Sequence, residues 1–570
     1  MNQNASFVRK IIYGCGIIAL LFPLYLLGQP STAAPNSAGE GGSGAPGGVL
    51  AQMRSKYGLS QAELGQIDPA SETMKMATLG LRAFAAQVLW TKANTYKKTE
   101  SWDRFAAVLK QISRLQPNYI SVWEFQAHNM AYNVSAEFDD YRARYHWVLK
   151  GLDLLLEGTK YNQRNPRLYW NLGWFTGHKM GISDEKKQYR QMFRDDTDFH
   201  NSLLGYIPLD TARGVDGKPD SWLVGWLWYL QAHSVAEKGV PDTWVQLDAN
   251  SAGYGDKRRS AVIFYSDPPM ARMSYAEAVT EEMIPGEKTR SAWKTAATYW
   301  KEFGDLDIPT TFEHTVRLSN RDHLKEEVDQ LHAKLEAMAP GLREKIRAER
   351  KEKLAPEERV AFDTYEERKR QLTEDEAAAF SRAYEKLTVT DLDLAEAMPE
   401  ELRPTARAYA MQAMQASVLG ERTGSYATIV NYDYWKTRSE VESSKITADA
   451  RRFMMLGDEQ RGKANPVGAK ELYEQAWTEW AKILEQYPQL IERDLADDLK
   501  EVIMRYKLVL DQLDEEFPKD FKLQVLAQQL EEDAAMEAAG GGAPPPSGAP
   551  GQGGAPGQGG DPGPPPTSNL

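Results

Sequence analysis

The chain has 570 residues, a formal net charge of -13 at pH 7 and a single cysteine, Cys15. One cysteine excludes internal disulfides, thiolate zinc sites and cysteine-ligated iron–sulfur clusters. The acidic balance is the opposite of the clustered positive charge that nucleic-acid binding needs. A chain of this length contains about two to four domains, and packing alone must stabilise them.

The first element of the chain is an apolar run from Ile11 to Leu27 that follows two basic residues. As a helix it spans about 25 Å, which is the short end of what crosses a bilayer. The basic residues keep the N-terminus, residues 1–10, in the cytoplasm and place the bulk of the chain in the periplasm. We predict an uncleaved transmembrane anchor over 11–28 in a bacterial cell membrane. A cleaved signal peptide is the alternative, because Ser31-Thr32-Ala33 has the small residues of a cleavage site.

Two segments of biased composition flank the remaining regions. Residues 29–50 are rich in Gly, Pro, Ala and Ser, and residues 536–570 in Gly, Pro and Gln. Such compositions cannot bury enough apolar surface to fold, so we predict a flexible linker and a disordered tail. Between them we expect a helical domain over 51–310, a charged helical hairpin over 311–400 and a second helical domain over 401–535.

Short helices with one apolar face each follow one another from Leu79 onward, and three segments among them share a spacing of large and small residues. The residues are Trp123 and Ala127; Tyr169, Leu172 and Gly173; and Phe453, Leu456, Gly457, Ala469, Tyr473 and Ala476. This spacing resembles the tetratricopeptide repeat. The resemblance implies an all-α array of helical hairpins whose extended surface binds peptides or partner proteins, with no cofactor.

Three further segments, 263–278, 303–312 and 431–438, resemble those of large membrane-anchored proteins of planctomycete bacteria. Some of these proteins carry the name "iron-responsive element" protein. The resemblance spans most of residues 80–490. The name describes an RNA element and implies neither an activity nor a functional residue in this chain.

The stretch from 221 to 236 is apolar and has no charged residue apart from His233. It is shorter than the roughly 20 residues that a membrane span needs, and it contains Gln231 and Ser234. The stretch therefore predicts a buried central helix in preference to a second span.

A heptad pattern follows between 322 and 338, where apolar residues alternate at spacings of four and three. These residues are Leu324, Val328, Leu331, Leu335 and Met338. Charged residues fill the positions between them, as in a coiled-coil seam. We predict a coiled-coil-like hairpin that protrudes from the body. The same heptads equally suit a contact between two copies of the chain.

Recognisable catalytic motifs are absent: neither G-x-S-x-G nor H-E-x-x-H occurs, and no complete phosphate-binding G-x-x-x-x-G-K-[ST] does. We therefore predict no catalytic residue. Asp195, Asp198 and His200 form the one acidic cluster with a histidine that suits a divalent cation. The alternative is the first turn of a helix, where negative charge offsets the helix dipole.

Fifteen tryptophans are more than a chain of this length usually has, and Trp123 suits the core of a repeat. Trp170 and Trp174, four residues apart, are the candidates for a binding groove. The sequence predicts a non-enzymatic, membrane-anchored scaffold for protein–protein interaction. The alternatives are a cell-envelope polysaccharide-binding module with exposed tryptophans and an enzyme with an unrecognised metal site.

Overall fold

The computed structural model describes residues 48–49, 52–53, 82–115, 117–237, 261–282, 286–310, 315–368 and 374–538. This part of the chain is all-α, as predicted, with one small antiparallel sheet in which Ile308 pairs with Val316. The predicted anchor, most of the linker and the tail beyond residue 538 lie outside the described residues. None of the described helices combines the length and apolarity that a membrane crossing requires.

The body of the molecule begins with a series of helices that precede the sheet. They are α1 (Arg82–Lys98), α2 (Trp102–Leu115), α3 (Ile120–His128), α4 (Tyr141–Tyr161), α5 (Pro166–Trp174), α6 (Met180–Ile182), α7 (Lys186–Asp195), α8 (Thr197–Leu203), α9 (Ser221–Glu237), α10 (Ala261–Glu282) and α11 (Glu287–Gly304). Two π-helical segments directly continue α3 and α5: π1 (Asn129–Val134) and π2 (Phe175–Lys179). Helix α9 is the predicted central helix, and most of its side chains are buried.

A lobe leaves the body after α11. It comprises β1 (Ile308–Pro309), β2 (Thr315–Val316), α12 (Arg321–Met338), α13 (Leu342–Glu352), α14 (Pro356–Arg368), α15 (Glu374–Leu387), α16 (Asp391–Ala397) and α17 (Arg403–Ile429). None of the described buried residues between 319 and 426 belongs to the main core. The lobe instead has two small cores of its own, one around Leu335 and one around Phe362.

The heptad residues of α12 are covered within the same chain. Leu324, Leu331 and Leu335 are buried, and α12 packs along α17. The small residues on one face of α17, such as Ala410 and Ala413, are buried as well. The lobe therefore extends beyond the predicted boundary at residue 400, because the helix that covers the seam begins after it. A contact between two copies through this seam requires α12 and α17 to separate.

The chain returns to the body at Tyr432, whose ring packs on Trp300 and Phe303 at the end of α11. The remaining helices are α18 (Tyr432–Glu442), α19 (Lys445–Gly462), α20 (Pro466–Gln486), α21 (Asp494–Gln512) and α22 (Gln524–Ala538). Asn465 caps α20 through its side chain, and Pro466 occupies the first turn, where its missing N–H leaves no bond unmade. Helices from both sides of the lobe thus share one main core.

Three helix pairs in this core have the same small–large–small spacing on their second helix. The pairs are α3 with α4, α5 with α9, and α19 with α20. The second helices carry Gly151, Leu155 and Gly158 on α4; Gly225, Tyr229 and Ala232 on α9; and Ala469, Tyr473 and Ala476 on α20. All nine residues are buried. The same packing pattern therefore recurs at widely separated places in the chain.

In two of these pairs, α5 with α9 and α19 with α20, the first helix places a glycine against the large residue of the second. A β-carbon on Gly173 would lie 2.7 Å from Tyr229 Cε1, and one on Gly457 would lie 2.7 Å from Tyr473 Cε1. Both distances are shorter than a carbon–carbon contact allows. In these two pairs a tyrosine ring therefore occupies the space that a glycine leaves open.

The Gly457→Ala variant should lower the free energy of unfolding by about 1–3 kcal/mol, because the added methyl forces the Tyr473 ring out of its position. Urea denaturation followed by circular dichroism measures this change. Gly462→Ala is the control, since a β-carbon at Gly462 meets no atom within 4 Å. Equal stabilities for the two variants would contradict the packing described here.

A buried arginine joins the parts of the body on either side of the lobe. The guanidinium of Arg438 on α18 is 2% exposed, and its Nη2 lies 2.9 Å from Glu277 on α10. The same group lies 3.5 Å from Asp494 and 3.6 Å from Asp498, both on α21. One cation therefore contacts three carboxylates that come from two distant segments of the chain, and Arg451 lies 3.6 Å from one of them, Asp498.

Candidate functional site

Stacked rings follow two neighbouring helices of the body, α3 and α5, into their π-helical continuations. The rings of His128 and Tyr132 lie 4.6 Å apart with an interplanar angle of 10°. Trp174 and His178 stack at 3.8 Å and 16°, and the Trp170 ring lies 5.5 Å from that of Trp174. These five residues form a surface that we call the aromatic face. All five are partly exposed, so a ligand can reach them.

Two of these pairs, His128–Tyr132 and Trp174–His178, straddle the start of a π-helical segment. His128 ends α3 and Tyr132 lies in π1, while Trp174 ends α5 and His178 lies in π2. The second pair follows the first by 46 residues at both positions. π-Helical turns are rare and occur frequently at functional sites. Their recurrence at matching places in adjacent helices indicates that the ring arrangement is a repeated feature of the fold.

Polar contacts beneath the rings hold α3, α5 and α10 in place. The indole N–H of Trp170 donates to Asp267 of α10. Glu124 of α3 accepts from Arg167 Nε at 2.5 Å and from Asn171 Nδ2 at 2.8 Å, both of α5. Charge-assisted bonds of this kind are among the stronger ones in proteins. The aromatic face is therefore organised before any ligand binds.

The histidines of the aromatic face are neutral at pH 7. Burial, followed by the nearby Lys179 ammonium, lowers the pKa of His178 to about 4. The same two causes lower the pKa of His128. Lys179 itself lies at the edge of the face, with Nζ 4.7 Å from the centroid of the Tyr132 ring. The rings thus present an uncharged surface with one cation beside it.

The His178→Phe variant should be less sensitive to acid than the wild-type protein. The folded-state pKa of His178 is about 4, below its ordinary value of 6.5. The unfolded chain therefore takes up a proton at this histidine before the folded chain does, so the folded protein loses stability as pH falls from 6.5 toward 4. Between pH 7 and pH 5 the loss from this one group is about 1–2 kcal/mol. Phenylalanine keeps the stack on Trp174 and cannot take up the proton. Urea denaturation at both pH values measures the difference, and equal pH dependence in the two proteins would contradict it.

The predicted metal candidates do not meet around a common point. Asp195 ends α7, where it accepts from Lys218 Nζ at 2.5 Å and from Gln191 Nε2 at 2.7 Å. Asp198 is exposed in the first turn of α8, and His200 is buried with its ring edge against Phe193. In the parts of the chain that the structure describes, no three His, Cys, Asp or Glu side chains are arranged to hold a metal ion.

The helix-capping alternative describes this segment well. The side chain of Asp196, between α7 and α8, accepts a hydrogen bond from Phe199 N at 2.9 Å. Asp198 adds a second negative charge to the same first turn, where it offsets the helix dipole. The acidic cluster therefore starts a helix.

A partial phosphate-binding pattern at 457–463 has a structural role as well. Gly457 through Lys463 match G-x-x-x-x-G-K, but Ala464 replaces the required Ser or Thr. Residues 457–462 lie in α19, and Gly457 packs against Tyr473. A continuous helix offers no loop whose N–H groups can surround a phosphate.

Of the aromatic face, the sequence singled out Trp170 and Trp174 and missed His128, Tyr132 and His178. One signal for the missed residues is present: aligning Trp123 with Tyr169, 46 residues later, places His128 on Trp174 and Tyr132 on His178. An aromatic ring stands at both positions in both segments. The π-helical turns in which Tyr132 and His178 lie are not predicted by the spacing.

The aromatic face has no carboxylate, serine, cysteine or lysine among its five side chains, and its rings suit flat, apolar contact. Comparisons with protein-family models, with curated proteins and with solved structures give no match. The proposals below therefore rest on geometry, burial and charge.

Proposed function

We propose that this protein is a membrane-anchored scaffold that binds an extended peptide segment of a partner through the aromatic face. The observation that carries the proposal is the pair of matching ring stacks on adjacent helices, each at the start of a π-helical segment. A surface that repeats along neighbouring helices suits an extended ligand, which contacts successive helices with successive residues.

The body fits an array of tetratricopeptide-like hairpins. The recurring small–large–small spacing on α4, α9 and α20 supports this reading, as does the matching glycine–tyrosine contact in two pairs. The segment from 183 to 220 is then an insertion between the two helices of one hairpin, α5 and α9. The lobe from β1 to α17 is a second insertion, and its two coiled-coil-like helices, α12 and α17, extend from the array.

The anchor at Ile11 to Leu27 completes the proposal. An anchor followed by a flexible linker confines the array to a thin layer beside the membrane and raises the effective concentration of whatever it binds there. The partner is then a protein of the same layer, in the periplasm.

Polysaccharide binding is less well supported by the same geometry. Sugar rings bind to the open faces of aromatic side chains. In the aromatic face, Trp174 has Trp170 and His178 as stacking neighbours at 5.5 and 3.8 Å. The rings therefore have few open faces on which a sugar can stack.

Affinity purification of the tagged full-length protein from gently solubilised membranes tests the proposal. We expect a stoichiometric partner with the wild-type protein and its loss with Trp174→Ala. Tyr384→Ala is the matched control, because Tyr384 is an exposed aromatic residue on the lobe. A protein that elutes alone, or a partner that Trp174→Ala retains, would exclude binding through the aromatic face.

A further inference from the structure

The aromatic face is uncharged apart from one lysine at its edge, although the chain as a whole has a net charge of -13. Its histidines are neutral at pH 7, and two carboxylates that contact α5 beside it are already engaged: Asp267 with Trp170, and Glu124 with Arg167. A strongly charged peptide would leave its own charges unpaired at such a surface. The face therefore suits a ligand with few or no charges.

The rings also favour one backbone conformation in the ligand. Proline-rich segments adopt a polyproline II helix without internal hydrogen bonds, and their pyrrolidine rings pack into grooves lined by aromatic side chains. Because this conformation is largely formed before binding, little conformational entropy is lost. The aromatic face offers partly exposed aromatic rings in two neighbouring stacks to such a ligand.

The chain contains such a segment. The 32 residues that follow α22, residues 539–570, include nine prolines and one charged side chain, Asp561. Six of the prolines form two triplets, Pro544–Pro546 and Pro564–Pro566. The N-terminal linker is similar in composition, but its prolines at 30, 35 and 46 stand singly. Polyproline II recognition therefore favours the C-terminal segment.

We propose that the aromatic face binds the chain's own proline-rich C-terminal segment, residues 539–570. The proposal rests on the proposed function, since it names the ligand of the same surface. At about 3.1 Å per residue, the segment reaches roughly 100 Å from the end of α22. Bound in this way, it occupies the face and competes with any external partner.

The experiment uses full-length chains and a synthetic, dye-labelled peptide of residues 539–570. The receiving chain has serine in place of the triplet prolines, so that its own segment does not compete: Pro544→Ser, Pro545→Ser, Pro546→Ser, Pro564→Ser, Pro565→Ser and Pro566→Ser. Fluorescence anisotropy should show saturable binding to this chain, and binding at least tenfold weaker to the wild-type chain, whose face is occupied.

Two changes should reduce this binding, one in the receiving chain and one in the peptide. Trp174→Ala in the receiving chain should weaken it at least tenfold, whereas Tyr384→Ala should leave it unchanged. A peptide with the same six serines should not bind, and this peptide variant does not depend on how the protein folds. Absence of binding at millimolar concentration, or binding that survives both changes, would overturn the proposal, and so would equal binding of a peptide of residues 29–48.

A library of random peptides screened on the same receiving chain separates the two proposals. If library peptides bind and Trp174→Ala removes them while the 539–570 peptide fails, the face binds peptides but not its own segment. If neither the library nor the 539–570 peptide binds, the proposed function fails as well.

Discussion

Replacing Arg438 with alanine should lower the free energy of unfolding by about 3 kcal/mol, one of the two largest effects expected for a single substitution here. The change leaves Glu277, Asp494 and Asp498 close together without the cation that they share. Removing one partner from a buried ion pair costs about 3–5 kcal/mol. We expect the low end of that range, because the three carboxylates remain 30–49% exposed and water partly replaces the lost charge.

Urea denaturation followed by circular dichroism measures the effect. Arg452→Ala is the matched control, since Arg452 is exposed on the neighbouring helix α19 and surface substitutions usually change stability by less than about 0.5 kcal/mol. If Arg438→Ala matched the control, Arg438 would not join the two parts of the body.

The second large effect should come from Trp123→Ala, at about 3–5 kcal/mol. The Trp123 ring is fully buried, lies against Gly158 and stacks on Tyr161 with centroids 5.7 Å apart. Its indole N–H also donates to the carbonyl oxygen of Pro117 at 2.8 Å. Alanine leaves a cavity between α3 and α4. It also removes one of two donors to the Pro117 carbonyl oxygen, which still accepts from Asn162 Nδ2 at 2.7 Å.

Thermal unfolding and urea denaturation both measure the change. Phe84→Ala is the control, because the Phe84 side chain on α1 is 68% exposed. A loss below about 1 kcal/mol for Trp123→Ala would show that this ring is not the centre of its hairpin.

The sequence predicted the packing residues well, because burial follows directly from the spacing of apolar residues. Trp123 and Ala127 were expected in the core, and both are fully buried. The apolar stretch from 221 to 236 was expected as a buried helix and forms α9. These features depend on helical periodicity, which the sequence displays within a few turns.

Features that depend on distant partners were harder to predict. The apolar heptad residues of α12 are covered by α17. The residues of α17 that contact them lie about eighty positions later in the sequence. Asp195 is bound by Lys218, which belongs to a turn beyond α8. Tyr132, which stacks on His128, lies in a π-helical segment, and no residue type specifies such a segment. Long-range pairing and local helix geometry are not apparent from spacing alone.

Helices that pack together are far apart in sequence at two places in the body. Helices α5 and α9 pack closely although α6, α7 and α8 lie between them in sequence. In the same way, α11 packs on α18 although the whole lobe separates them. Both partners in each pair contribute residues to one continuous core.

The claim that the aromatic face binds a peptide is tested most directly by photo-crosslinking in native membranes. A photoreactive benzoylphenylalanine in place of Trp174 should give one dominant crosslinked adduct, whose attached peptide mass spectrometry identifies. A sequence from residues 539–570 would support the intrachain ligand, and one from another protein would support an external partner. The same amino acid in place of Tyr384 should give no such adduct. Absence of an adduct at Trp174, or equal yields at both positions, would contradict the account.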